Sequence, residues 1–347
     1  MSGRDAGNNS VMPKLPPARG EVSEALLEEL RVPAHSLTAI AAPDASDPLS
    51  DEDLQLALYL CYELHYRGLD GVDERWEWEP SLLELRGRLE TRFEEALLAG
   101  VGPPDEAPAA EEMDVALRAL DDEDEGPSLS KRVEREATFG QLLEFMVHRS
   151  AYQLKEADPH SWALPRLHGR PKAAMVEVQS DEYGGGRADR IHAQLYADAM
   201  EAVGLDPAYG AYLDHVPGVT LATVNLMSLF GLHRRLRGAI VGHLALFEIT
   251  SSIPNRRYAA GLRRLGHDGR ATEFFDEHVL ADAVHENIAA VDLAGGLARQ
   301  EPALSAQILW GARCLALLDA RWGAHVTDAW DAGRSSLREP LEALIPV

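Results

Sequence analysis

Two histidines and one aspartate stand at helical spacing in a short run of the C-terminal half. The run reads FDEHVLADAVHENIA, and it places His278, Asp282 and His285 at positions i, i+4 and i+7. Because an α-helix has about 3.6 residues per turn, the three side chains would project from one narrow stripe. Two imidazoles and one carboxylate are donors that a protein offers to iron, manganese or zinc. The stripe therefore predicts half of a metal site.

Glu248 is a carboxylate in an otherwise apolar helical pattern, LALFEI. Burying an ionised carboxylate without a partner costs several kcal/mol or shifts its pKa until it is neutral, so Glu248 needs a partner. Glu156 and Glu182 pose the same question more weakly, because each lies near a predicted helix end. Taken singly, these acids are better explained as caps, salt bridges or solvated edges, and His192 as a core histidine.

The charges of these groups balance when the groups are considered together. Two divalent irons carry four positive charges, and the four acids supply four negative charges, while the three histidines add neutral nitrogen donors. Helical bundles commonly present such ligands inward from facing helices, whereas zinc is more usually held by fewer acids. The predicted ligands of a two-iron site are Glu156, Glu182, His192, Glu248, His278, Asp282 and His285.

The composition is that of an acidic globular protein. The chain has 347 residues, is 46% hydrophobic and carries a formal net charge of -24. This charge argues against a nucleic-acid surface, because contacts with phosphates need a basic face. The two cysteines, Cys61 and Cys314, provide no disulfide framework, and the apolar runs are too short for a membrane span or a signal peptide. We expect a soluble cytoplasmic protein with no nucleic-acid or membrane partner.

Helical periodicity dominates the chain after an acidic block. We expect a flexible segment with one helical hint at 21–30, a small helical unit that ends in an acidic linker, a large helical domain and a tail. Within the large domain we predict a helix over 129–157 and another over 235–252, which Pro254 would end. The expected divisions are the flexible segment 1–48, the small helical unit with its acidic linker 49–128, the large helical domain 129–330 and the tail 331–347.

The segments that carry the ligands resemble the haem-oxygenase-like diiron oxygenase superfamily, also called iron-containing redox enzymes. These segments are DEYGGGRADRIH, which ends at His192, LALFEITSS around Glu248, and HVLADAVH from His278 to His285. The resemblance implies an all-α, haem-oxygenase-like helical bundle with a small helical N-terminal extension that helps to form a homodimer. It also implies that all seven residues named above are iron ligands, with Glu156 as the early glutamate of the pattern. The branch that the chain resembles most is the diiron N-oxygenase domain of the streptozotocin-pathway nitrosourea synthase.

This resemblance implies a non-haem diiron oxygenase that cycles between Fe(II) and Fe(III), uses O2 as co-substrate and takes electrons from an external donor or reductase. The branch favours N-oxygenation of an amine or guanidine on a small amino-acid-like substrate in specialised metabolism. One alternative is oxidative C–C cleavage or desaturation of a fatty or amino acid by the same centre. An alternative of another class is a non-catalytic haem- or metal-binding helical protein, although a haem site would leave three acids in apolar surroundings unexplained.

The residues that surround the substrate are predicted less directly than the ligands. His233 and His243 lack an acid at ligand spacing, and Glu63 and His65 point to different faces of their helix. All four are interpreted as structural. Polar and aromatic side chains near the ligands could line the pocket, and some could hold a substrate carboxylate. The candidates are Tyr152, Tyr183, Asn225, Thr250, Ser251, Arg256 and Arg257.

Overall fold

The computed structural model describes residues 12–41, 45–105, 107–122 and 128–341, without the side chains of 121–122 and 282–284. In this part of the chain, α-helices are joined by short 3-10 segments and by a π-helical segment, and no strand is present. The predicted all-α fold is confirmed. The helices are α1 (Glu21–Leu30), α2 (Glu52–Glu63), α3 (Pro80–Val101), α4 (Met113–Asp122), α5 (Leu129–Arg135), α6 (Phe139–Gln153), α7 (Asp158–Ser161), α8 (Gly169–Glu182), α9 (His192–Ala202), α10 (Gly218–Leu232), α11 (Arg237–Arg264), α12 (Glu273–Asn287), α13 (Gly295–Gln300) and α14 (Ser305–Asp331).

Helices α10 and α11 form the centre of the bundle. Helix α10 is apolar on almost every side and is buried along nearly its whole length, as expected for a helix surrounded by others. Helix α11 packs against α5, α12 and α14. It crosses α14 so closely that a Cβ atom at Gly242 would lie 1.8 Å from the carbonyl oxygen of Ile308. This close contact fixes the first half of α11, which carries Glu248.

The helix predicted over 235–252 is longer than expected. Helix α11 continues through Pro254 to Arg264, so the prediction that Pro254 ends it is wrong. Proline has no N–H group, and the helix therefore lacks one main-chain hydrogen bond to the preceding turn. Buried residues lie on both sides of the proline, among them Glu248 and Tyr258, and their packing keeps the two halves continuous.

The helix predicted over 129–157 is in fact two helices. Thr138 caps the second one, because its hydroxyl accepts from the N–H of Gln141 while the Gln141 side chain accepts from the N–H of Thr138. This reciprocal capping box is a strong start signal. Helix α6 ends at Gln153, so Glu156 lies in a turn beyond the helix rather than on it.

The N-terminal segment contains a packed helix inside the range that was expected to be flexible. Leu26, Leu27 and Leu30 of α1 are buried, and the carboxylate of Asp53 accepts hydrogen bonds from the N–H groups of Val22 and Ser23. Helix α2 in turn packs against α1, α3 and α10. The described part of the N-terminal unit is therefore attached to the central helices of the same chain. Residues 1–11 and 42–44 lie outside the described residues.

The helices differ in length and in apolar character. Within the described ranges, none is both long enough and apolar enough to cross a membrane.

Candidate metal centre

Four helices and one turn bring six of the seven predicted ligands together. Each of the six side chains is buried. Glu156 comes from the turn after α6, and Glu182 is the last residue of α8. The other four are His192 at the start of α9, Glu248 in α11, and His278 and His285 in α12. Residues that are more than 100 positions apart in the chain thus meet in one interior cluster.

The Gly-rich segment between Glu182 and His192 is what allows these two residues to meet. Gly184 has a φ angle of 66°, and a Cβ atom there would lie 2.6 Å from the carbonyl carbon of Arg190. Only glycine adopts this conformation without strain and also leaves room for the returning chain. The chain therefore folds back sharply, and the start of α9 lies against the end of α8.

Four of the six residues form a first group around Glu156. One donor atom of each of Glu156, Glu182, His192 and His278 lies within 4.8 Å of the others. In His278, Nδ1 faces the carbonyl oxygen of Phe274 at 2.8 Å, and Nε2 lies 3.5 Å from Oε1 of Glu156. The hydrogen bond to the helix carbonyl fixes the tautomer and orientation of the ring.

A second group is formed by Glu182, Glu248 and His285, again with donor atoms within 4.8 Å of one another. Nδ1 of His285 lies 3.4 Å from Oε2 of Glu248 and 3.9 Å from Oε1 of Glu182. Its other nitrogen, Nε2, lies 3.0 Å from Oδ2 of Asp181. Glu182 belongs to both groups, and its carboxylate lies between them.

Several donor atoms in the cluster converge without satisfying one another. Nδ1 of His192 lies 2.8 Å from Oε2 of Glu182, yet neither atom has a hydrogen-bond partner of acceptable geometry among the described residues. The same holds for Oε2 of Glu156 and Nδ1 of His285. Buried polar atoms are nearly always satisfied, and groups that are not require an explanation. Lone pairs that point at a common space rather than at each other fit the ligands of a metal ion.

The pKa shifts in the cluster reflect the close approach of buried acids and histidines. Burial alone would raise the pKa of Glu182, but the adjacent His192 and the other histidines outweigh burial and lower this pKa to about 2. Burial alone would lower the pKa of His285, but Glu248 and Asp181 raise it to about 9. Without metal, the raised pKa values of His192 and His285 favour protons on these two rings, which offset part of the charge of the buried acids. Metal ions would take the place of these protons.

The seventh predicted ligand, Asp282, is on α12 between His278 and His285, and its side chain lies outside the described residues. Its place among the ligands stays a prediction. One partner of the centre was not predicted: Asp181 orients His285, although its own side chain is 60% exposed. Its position next to Glu182 is a signal that could have identified it, since histidine ligands usually donate their second N–H to a carboxylate or carbonyl.

A small cavity lies beside the cluster. Its wall is formed partly by the acids and partly by aromatic, aliphatic and neutral polar side chains, and no Lys or Arg is among its described lining residues. The lining residues are Tyr152, Glu156, Ala157, His160, Gln179, Glu182, Leu244, Phe247, Glu248, Ser251 and His278.

Of the predicted pocket residues, Tyr152 and Ser251 line this cavity. Others have partners elsewhere: Tyr183 donates to Asp158 at 2.9 Å, and Asn225 donates to the carbonyl oxygen of Gln55 at 2.9 Å. Arg257 donates to Ser130 at 3.1 Å. The expectation that arginines of α11 line the pocket is therefore not met by the described lining.

His160, which lines the cavity, and His243 form a buried pair. The sequence did not identify either residue as functional. Nε2 of His160 lies 3.0 Å from Nδ1 of His243, and both rings are 1% exposed. His243 was interpreted as structural, and it does lie behind the lining residue His160. His233 pairs instead with Glu90 at 3.0 Å, away from the cluster.

Comparison with known proteins identifies the family. No curated protein is significantly similar to the chain. A family model described as iron-containing redox enzyme matches residues 143–320, just over half of the chain. The matched region includes all six clustered side chains, and the donor set suits iron. The chain therefore belongs to the iron-containing redox enzyme family.

Proposed function

We propose that this protein is a non-haem, O2-dependent oxidoreductase with two irons in the cluster. The observation that supports this proposal most directly is the position of Glu182, whose carboxylate belongs to both groups of donor atoms. A carboxylate has two oxygens and can bridge two ions, as in diiron carboxylate proteins with helical bundles. A single-metal site would use only one of the two groups of donor atoms.

In this proposal, Glu156, His192 and His278 would hold one iron, and Glu248 and His285 would hold the other, with Glu182 available to both and Asp282 as a further ligand from α12. Bound iron would supply O2 activation through its Fe(II) and Fe(III) states, with electrons from an external donor or reductase. The protein holds the ligands, keeps the site dry and places the substrate.

The wall of the cavity is suited to keeping the site dry. Tyr152, Leu244 and Phe247 cover one side of the acids with apolar surface, and the rings of Tyr152 and Phe247 meet edge to face with centroids 5.6 Å apart. A wall of this kind excludes water, which strengthens electrostatic interactions inside the site and limits side reactions.

We further propose that the substrate carries the reacting group as an amine or guanidine nitrogen. The Gly-rich segment resembles the N-oxygenating branch, and the described lining offers carboxylates and neutral polar groups but no Lys or Arg. A nitrogen group with N–H donors suits such a lining, whereas a substrate carboxylate would find no cationic side chain among the described lining residues. Oxygenation of a primary amine to a hydroxylamine consumes O2, two electrons and two protons and releases water, so the external donor is required.

A second candidate function is oxidative C–C cleavage or desaturation of a fatty or amino acid. The apolar wall of Tyr152, Leu244 and Phe247 is the observation that favours it, because an alkyl chain would pack against such a surface. Product analysis separates the two functions: N-oxygenation adds oxygen to nitrogen, whereas desaturation removes hydrogen and leaves the nitrogen unchanged.

Anaerobic titration with Fe(II) tests the metal centre. We expect two irons per chain and, on exposure to O2, O2 uptake with a transient visible absorption. Glu248→Ala should reduce the stoichiometry to about one while the helical content is retained, and His233→Ala, outside the cluster, should leave it at two. One iron or none in the unmodified protein would refute the diiron proposal. Iron binding without O2 uptake would favour a non-catalytic metal-binding protein.

We also retain homodimer formation through the N-terminal unit as a proposal, because the resemblance implies it. Light scattering of the purified full-length chain would measure the molar mass in solution, and a monomeric mass would contradict this proposal.

A further inference from the structure

In the side-chain amide of Gln179, the nitrogen has hydrogen-bond partners and the oxygen has none among the described residues. Its side chain is on α8 and is 3% exposed. The Nε2 atom donates to the carbonyl oxygen of Ala157 at 2.8 Å and to Oγ of Ser161 at 2.7 Å. A carbonyl oxygen can only accept, so these contacts fix which end of the amide is nitrogen. The remaining atom, Oε1, is a buried acceptor with no hydrogen-bond partner among the described residues.

His160, which also lines the cavity, has a second buried atom without a hydrogen-bond partner among the described residues. Its Nε2 lies 3.0 Å from Nδ1 of His243, while its own Nδ1 is buried without a hydrogen-bond partner in the described part of the chain. Burial lowers the pKa of His160 to about 4, so the ring is neutral near neutral pH. If the ring proton is on Nε2 and is donated to His243, Nδ1 is an acceptor.

We propose that Gln179 and His160 form a subsite that accepts hydrogen bonds from the N–H groups of an amine or guanidine substrate. Both residues line the cavity that also contains Glu156 and Glu182. A buried acceptor without a donor is unfavourable, and a ligand with several N–H groups carries the donors that these two atoms lack. This inference rests on the proposed function, because it places the substrate nitrogen beside the iron ligands.

The chemistry of the wall selects against other ligands. A carboxylate at this subsite would place its oxygens against the unpartnered atoms of Gln179 and His160, with no donor for either. An alkyl group would leave both acceptors buried without a donor. The cavity measures about 10 Å³, which is room for one ordered water that could satisfy one or both atoms. A ligand must displace this water and widen the cavity, and the experiment must therefore distinguish water from a ligand.

Gln179 also has a structural role that the test must separate from ligand binding. Its Nε2 hydrogen bond holds the carbonyl of Ala157, which has a φ angle of 72°. This left-handed conformation is strained for any residue except glycine, and Ala157 directly follows Glu156. Replacing Ala157 by glycine would relieve the strain and so reduce the need for this hydrogen bond.

The experiment measures the binding of two matched probes to the full-length, Fe(II)-loaded protein by anaerobic calorimetry. Butylguanidine and pentanoate carry the same alkyl chain with a guanidinium or a carboxylate group. We expect butylguanidine to bind and pentanoate to bind at least about tenfold more weakly. Gln179→Leu should weaken butylguanidine binding by about tenfold or more, which corresponds to about 1.4 kcal/mol.

Two further variants control for structure. Gln153→Leu removes another buried glutamine whose Oε1 lacks a described partner but which does not line the cavity, and it should leave butylguanidine binding unchanged. In the Ala157→Gly background, Gln179→Leu should still weaken binding by the same factor. Loss of the effect in that background would show that Gln179 acts only through Ala157 and would overturn the proposal.

The remaining outcomes are also decisive. Equal binding of butylguanidine to Gln179→Leu and to the unmodified protein, equal or tighter binding of pentanoate, or no binding of either probe would overturn the subsite and favour ordered water. Iron stoichiometry and O2 uptake of the same samples test the proposed function separately. Two irons with O2 uptake but no Gln179-dependent binding would refute only the subsite. Gln179-dependent binding without an iron pair would refute only the diiron function.

Discussion

Lys155 and Glu63 form an ion pair with 3.0 Å between Nζ and Oε2, and their side chains are 1% and 0% exposed. Tyr209 also donates to Oε2 of Glu63 at 2.7 Å, and the ammonium of Lys155 lies 4.4 Å from the centre of the Tyr66 ring. Glu63 is the last residue of α2, and Lys155 directly precedes Glu156. The N-terminal unit therefore reaches the backbone that carries a proposed iron ligand.

The first prediction concerns this ion pair. Glu63→Gln leaves the buried ammonium of Lys155 without its charged partner, so we expect the free energy of unfolding to fall by about 3–5 kcal/mol. We also expect weaker iron binding by the group that contains Glu156, because the turn that carries it loses its anchor. Urea unfolding and Fe(II) titration measure the two effects.

The double variant Glu63→Gln with Lys155→Met separates positioning from general stability. It removes both charges, so much of the lost stability should return, while the weaker iron binding should persist. If iron binding returns together with stability, or if Glu63→Gln binds two irons as tightly as the unmodified protein, the ion pair does not position Glu156.

The second prediction concerns Asp181, whose Oδ2 atom lies 3.0 Å from Nε2 of His285. Removing such a partner of a histidine ligand typically lowers metal affinity by about 10–100-fold. We expect Asp181→Ala to show a loss of this size at the iron bound by His285 and Glu248, with the other iron retained. Asp189→Ala is the matched control, since Asp189 is an exposed acid of the same segment that pairs with Arg187. Equal affinities in the two variants would show that Asp181 has no part in the centre.

Local sequence features, together with the family resemblance, identified six residues that the structure brings into one cluster. Acids such as Glu248 in an apolar helix need a partner, and the spacing of His278 and His285 puts two imidazoles on one helix face. These local features do not depend on knowing how the helices pack. The structure brings both of these features into the same interior cluster, together with Glu182.

The interactions that support the cluster could not be predicted in the same way. Lys155 and Glu63 are 92 positions apart, and His160 and His243 are 83 positions apart. Lysine is usually exposed, and a single buried lysine leaves no mark in helical periodicity. Which long-range pair forms depends on the packing of α2 and α11 against their neighbours, and a single sequence does not determine that packing.

The third prediction concerns the glycines between Glu182 and His192. Gly184 and Gly186 both have positive φ angles, 66° and 81°, but a Cβ atom would meet the backbone of Arg190 at 2.6 Å only at Gly184. Alanine at either position adds conformational strain of about 1–2 kcal/mol. We expect Gly184→Ala to cost more and also to lower iron stoichiometry, whereas Gly186→Ala should retain two irons. Thermal unfolding and iron titration of both variants provide the comparison, and equal behaviour would show that the steric contact is unimportant.

The fourth prediction concerns pH and stability. His148 is buried between Thr220 and Ser336, with ring nitrogens 2.7 Å and 3.1 Å from their hydroxyls, and burial lowers its pKa from 6.5 to about 3. Between these values the unfolded chain binds a proton that the folded chain does not. Stability is therefore lost as the pH falls through about 6.5, by about 2 kcal/mol between pH 7 and pH 5 from this residue.

His148→Gln should remove this share of the pH dependence. We expect the difference in unfolding free energy between pH 7 and pH 5 to be about 2 kcal/mol smaller in the variant, although the variant is less stable at pH 7. Urea unfolding of the metal-free protein at pH 7 and at pH 5 measures this difference in unfolding free energy. An unchanged difference would show that His148 is protonated in the folded protein or is not buried.

The fifth prediction concerns helix α12, which contributes His278 and His285 to different groups of the cluster. Metal binding couples to local folding when ligands are close together only in the bound form. The segment before α12, Leu265 to Thr272, contains Gly266 and Gly269 with φ angles of 90° and 62° and is the proposed hinge. We expect removal of iron by a chelator to increase amide hydrogen exchange in α12 much more than in α11, whose residues around Glu248 are held by α14. Equal protection of α12 with and without iron would show that its order does not depend on the metal.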